Sequence, residues 1–125
     1  MYSVPFSIDE YEGFVQTRGI VRIEEEAVVL EFKKQEGVLG IPVSVITEKY
    51  IPISELPTVR LKKKFLGARL IIAGHQMSTF TEIPGCHHAK VILSITRQDR
   101  EAAQDLASNL SLRIAGAELQ QVESQ

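Results

Sequence analysis

Apolar and polar residues alternate with a period of two along much of this chain, and no other feature constrains its fold as tightly, because that alternation is the signature of strands with one buried face. "GIVRIEE" sets Val21 and Ile23 opposite Ile20, Arg22 and Glu24; "AVVLEFKK" sets Val28, Leu30 and Phe32 opposite Glu31 and Lys33. Glu24 to Glu26, between them, predict a tight hairpin connection. "KYIPISELPTVRLKKK" reads as an extended segment bent or cornered at Pro52 and Pro57, since neither proline can donate to a ladder. "ARLIIAG" follows, and then "MSTFTEI" and "KVILSITR" read as strands on either side of Pro84-Gly85.

Helical spacing occurs once. After Asp99, a predicted N-cap, Ala103, Leu106, Ala107, Leu110 and Ile114 recur on one face, with Arg113 in the last turn and Gly116 as the stop. Residues 116–125 are expected to form a polar tail. The fold class predicted is mainly β with one C-terminal α-helix: six or seven antiparallel strands in a bent sheet or partly open barrel that the helix caps.

The pattern "GIVRIEEEAVVLEF", then "YIPISELPTVRLKK", then "KVILSITRQDREAAQDLASNL" resembles the bacterial pleckstrin-homology-like domain over about residues 14–115. The resemblance implies a single domain across residues 1–125 and a broad tendency toward binding. Two departures stand beside it. The chain has no tryptophan where eukaryotic members carry one in the C-terminal helix, Leu106 and Leu110 taking that kind of buried position; and its first-hairpin loop is the acidic "IEEEA", which would repel the phosphoinositides that the family binds there through basic residues.

At 125 residues the chain is long enough to bury a core without disulfide or metal staples. A net charge of −2 argues against non-specific binding to nucleic acid or to an anionic bilayer, although a local patch could still do either, and an aromatic content of 6% argues further against single-stranded nucleic acid. The lone cysteine allows no internal disulfide, "MYSVPFSIDEYEG" has acidic residues where a secretion signal would begin positively, and no apolar run approaches the roughly 18 residues of a membrane span, so a cytoplasmic location is expected.

Three stretches are candidate sites. The apolar connection "GVLGIPVSVITE" reads either as an extra strand whose alternate residues are buried or as an exposed surface; on the second reading it and the proline-bounded segment after it nominate Val38, Leu39, Ile41, Val43, Tyr50, Ile51 and Ile53 as an interface to a protein partner or a second copy. Arg60, Lys62, Lys63, Lys64 and Arg69 form a basic cluster, which is either a solubilising edge or a site for an anionic ligand or peripheral anionic membrane contact.

Cys86, His87 and His88 invite a metal reading. They supply too few convergent ligands, however, and His75 is expected about 20 Å away if "MSTFTEI" is a strand. Carboxylates such as Glu82, or a second subunit, could complete a site, but the spacing demands neither, and a hairpin loop opened by Pro84-Gly85 is the simpler reading. Cys86 lacks the orienting group and oxyanion hole of a nucleophile, Glu24, Glu25, Glu26 and Glu31 form a run more typical of a solvated turn than of an acid and base pair, and no phosphate-binding glycine loop is present. The sequence therefore points to a non-catalytic interaction module with no cofactor.

Overall fold

Burial follows the alternation strand by strand. The computed structural model describes residues 2–10, 15–38, 41–81 and 83–123. Its elements are β1 (Ser3–Glu10), β2 (Val15–Glu24), β3 (Ala27–Val38), β4 (Ile41–Pro52), β5 (Thr58–Lys64), β6 (Gly67–Ala73), β7 (Lys90–Thr96) and α1 (Arg100–Glu123). Val21 and Ile23 in β2, Val28, Leu30 and Phe32 in β3, Leu70 and Ile72 in β6, and Val91, Leu93 and Ile95 in β7 all enter one core.

The strands form a single open sheet in the order β4-β3-β2-β1-β7-β6-β5. It consists of two meanders joined, among the described residues, by the single pair Ser7 in β1 and Ser94 in β7. Every neighbouring pair is antiparallel, so with seven strands the two edges, β4 and β5, run in the same direction. Closing the barrel would require a parallel β4–β5 ladder, and parallel neighbours need a crossover of about a dozen residues or more. Only residues 53–57 separate these strands. The chain turns a corner there instead, through a 3-10 turn at Ile53–Glu55. The Ile53 amide donates to the Glu26 carbonyl at 2.9 Å, and the His75 amide donates to the Glu55 carbonyl at 2.9 Å.

Helix α1 covers the open side. Ala103, Leu106, Ala107, Leu110 and Ile114 are buried, the face its periodicity predicted. The helix enters through a 3-10 turn at Arg97–Asp99, where the Thr96 hydroxyl donates to the Asp99 carboxylate at 3.0 Å. It does not stop at Gly116 but continues to Glu123. Gly116 lacks the left-handed conformation of a helix terminator, and a side chain added there would meet nothing within 4 Å.

Two strand expectations change. "MSTFTEI" contains a 3-10 turn at Met77–Phe80, not a strand, because β6 pairs directly with both β5 and β7 and leaves no place beside it for another. The loop instead drives Phe80 and Ile83 into the core. At the other end of the chain, β1 buries Val4, Phe6 and Ile8, so the core begins ten residues ahead of the boundary at 14. Pro5 is tolerated in this central strand because the ladder toward β7 is already interrupted on that side.

The row Phe6–Gly19–Phe32 crosses three strands on the inner face. A Cβ on Gly19 would lie 2.8 Å from the Phe6 ring and 2.9 Å from the Phe32 Cβ, and would strike the Glu31 carbonyl. Gly19→Ala is therefore expected to destabilise the fold by about 1–3 kcal/mol, whereas Gly116→Ala is expected to stabilise it by about 0.5–1 kcal/mol. Urea titrations of the two variants beside the parent check both signs.

Candidate functional site

The segment "CHHAK" is a hairpin tip. His87 pairs with Lys90 through reciprocal backbone bonds of 3.0 Å, and the two residues between them, His88 and Ala89, have φ of 51° and 59°. Two consecutive left-handed residues are what the two-residue turn favoured by strand twist demands. The turn thus lies at His88-Ala89, and Pro84-Gly85 belongs to the loop leading into it.

His75 is not at the far end of a ladder. The Gly74 amide donates to the Ala89 carbonyl at 2.8 Å, which brings the neighbouring His75 back to the same end of the sheet as His87 and His88. Even so, no group of three or more histidine, cysteine or acidic side chains suited to a metal ion occurs among the described residues, outside which Glu82 lies. The His87 and His88 rings stack edge to face at 3.8 Å.

Cys86 packs against the core, and burial pushes its thiol pKa up. That direction is opposite to what a nucleophilic cysteine needs, because the thiolate is the reactive species.

The acidic residues sort into two roles. Glu25 and Glu26 are exposed at the β2–β3 turn, Glu25 with φ of 45°; because β1 precedes β2, "IEEEA" is the loop of the second hairpin and not, as expected, of the first. Glu24 and Glu31 instead join Glu48 around one guanidinium: Arg22 Nε lies 2.7 Å from Glu24, Nη1 2.9 Å from Glu31 and Nη2 3.1 Å from Glu48. These three bonds hold Arg22 fully charged, with its pKa raised. Tyr50 donates its hydroxyl to Glu48 at 3.1 Å, and that bond, with the negative charge behind it, raises the phenol's pKa. Val29 lies in register between Arg22 and Tyr50 and is fully buried although it sits outside the core cluster, on the outer face. The cluster is a lid of ion pairs over an apolar spot. No member is left free to act as acid or base beside an unpaired partner.

Strand β4 forms one edge of the sheet, and among its described side chains the exposed large apolar ones are Val45, Ile46 and Tyr50. Of the residues nominated for an interface, Tyr50 is exposed, but Ile51 and Ile53 are buried in the core and cannot meet a partner while the fold is intact. The alternation carries Ile51 inward opposite Val28, and the corner after Pro52 turns Ile53 in as well. Val38, Ile41 and Val43 are placed by backbone only, in the β3–β4 ladder, while their side chains and all of Leu39 lie outside the described residues. Val45 and Ile46 were passed over at the sequence level, although they belong to the same apolar run.

Strand β5 forms the other edge. Arg60, Lys62 and Lys64 are exposed on one face, and Lys62 lies across from the exposed Arg69. Lys63 points to the opposite face, where it lines a shallow groove with Val59, Leu61 and the α1 residues Gln104, Ala107, Ser108 and Ser111. The β5–β6 turn, Phe65-Leu66, is a further feature that the sequence reading left aside.

Comparison with protein-family models, curated proteins and solved structures finds no match, so the functional reading rests on this geometry.

Ala89→Gly relieves a left-handed alanine and is expected to add about 1 kcal/mol of stability, read from the denaturant midpoint. Alkylation of Cys86 at pH 7 is expected to run slower than that of a free cysteine, with a pH midpoint above the ordinary value of about 8.5. A midpoint below it would contradict the burial argument.

Proposed function

We propose that this chain is a non-catalytic interaction module whose β4 edge accepts an added strand, most simply from a second copy of itself. The observation that carries the reading is β4 itself: a twelve-residue edge strand with no neighbour on its outer side in the sheet and with Val45, Ile46 and Tyr50 exposed. Such an edge offers a row of backbone donors and acceptors to an extended segment, and its alternate side chains supply apolar contacts. The strand order and the C-terminal helix support a pleckstrin-homology-like architecture as the scaffold, and the lone free thiol is in keeping with a reducing cytoplasm. No helix of the described residues is long and apolar enough to cross a membrane.

Light scattering coupled to size-exclusion chromatography, run over a concentration series, tests this directly. The parent is expected to exceed the 14.0 kDa monomer mass at high concentration, and Ile46→Lys, which places a charge on the free edge, is expected to return it to monomer. A parent that stays monomeric throughout, with rapidly exchanging β4 amides, would rule out self-association.

A further inference from the structure

At the tip of the β5–β6 hairpin the most exposed large apolar side chains of the described residues stand next to each other. Phe65 is 88% and Leu66 75% exposed. A two-residue turn places them there, with Lys64 opposite Gly67 closing the ladder behind them. Gly67 is required at that closure, because its φ is 156° and a Cβ would strike the Ile95 carbonyl of β7.

The tip is collared by cations. Lys62, Lys63 and Lys64 precede it on β5, and Arg69 follows on β6 opposite Lys62. The end of β7 brings Arg97 alongside, its backbone nitrogen 3.6 Å from the Cβ position of Gly67, and the Arg100 guanidinium donates to the Lys64 carbonyl at 3.0 Å. Asp99 and Glu101 are the acidic residues of the adjoining helical entry, and Asp99 is already engaged by Thr96. This concentration of positive charge occurs in a chain of net charge −2.

An aromatic and a leucine projecting from a convex tip, behind which lysines and arginines stand, combine the two parts of an interfacial membrane contact. Apolar side chains enter the boundary between headgroups and acyl chains, and cations meet anionic headgroups at the surface. A folded protein partner would have to present a preformed pocket to receive a convex tip, whereas a bilayer deforms around it. We propose that the β5–β6 hairpin inserts Phe65 and Leu66 into anionic lipid surfaces, with the collar of Lys62, Lys63, Lys64, Arg69, Arg97 and Arg100 held against the headgroups. The site lies on the opposite edge of the sheet from β4 and does not depend on the strand-addition reading.

The absence of tryptophan from the chain makes the test direct. Phe65→Trp supplies a single fluorophore at the tip. Vesicles of phosphatidylcholine alone are compared with vesicles containing phosphatidylserine, at low and high salt, by tryptophan emission and by co-sedimentation. The proposal expects a blue shift and co-sedimentation with the phosphatidylserine vesicles only, both weakened by salt. Phe65→Ser/Leu66→Ser and Lys62→Glu/Lys64→Glu are each expected to lower the vesicle-bound fraction by about tenfold or more. Both pairs are surface substitutions, and circular dichroism of each variant confirms that the fold is retained. An emission maximum that stays at its aqueous value with anionic vesicles would overturn the proposal. So would binding that survives loss of Phe65 and Leu66, because charge alone would then account for it.

Discussion

The parity of the sheet governs the rest of the structure. An uninterrupted antiparallel order of seven strands leaves both edges running in the same direction, and a five-residue corner between them cannot support the parallel ladder that closure would require. The core therefore has an open side, and the amphipathic helix exists to fill it. Leu106 and Leu110 are fully buried there, so truncating either would open a cavity at the place where the sheet itself supplies no cover. The same parity leaves two strand edges for the molecule to manage.

It manages them differently. β5 is short, carries lysine at three consecutive positions and has α1 packed along its inner face, all of which discourage another strand from adding to it. β4 is longer, and its central residues Val45 and Ile46 are apolar and exposed. On the outer face that Ile46 and Tyr50 share, the charged residue of β4 is Glu48, which is tied back to Arg22 and Tyr50 and so is drawn toward its own sheet; Lys49 alternates to the other face. The contrast is between an edge lined with lysines and one whose described centre is apolar and exposed.

How legible all this was from the sequence depended on how local the deciding physics is. The hairpin at Glu24 to Glu26 and the buried face of α1 follow from short-range periodicity, and both are where that periodicity puts them. β1 carries an alternation as plain as that of β2, in Val4, Phe6 and Ile8, so it was readable although it went unread. The segment 77–83 was not readable in the same way. Its residues have ordinary strand composition, and only the direct β6–β7 pairing, a contact between distant positions, denies them a ladder. The error over His75 follows from that one, because its distance from His87 was inferred from a strand that does not form. The Arg22 cluster likewise joins Glu48 to Glu24 and Glu31 across three strands, a juxtaposition that register creates and spacing cannot reveal.

Helix α1 also explains why an exposed turn can serve as a defined surface. Near its start Arg100 donates to the Lys64 carbonyl at the β5–β6 tip, and further along Arg113 donates to the Glu25 carbonyl at the β2–β3 turn at 2.6 Å. The intervening helix is about 20 Å long, so a single rigid element fixes the tip relative to the acidic turn at the corner of the other meander. The cations around Phe65 and Leu66 and the carboxylates at Glu24, Glu25 and Glu26 are thereby held apart at opposite ends of one strut. Such separation keeps the carboxylates of the β2–β3 turn from neutralising the collar, since charges farther apart than the screening length of about 8 Å at physiological salt interact only weakly across solvent. A chain with a net negative charge can in this way present a positive surface at one point.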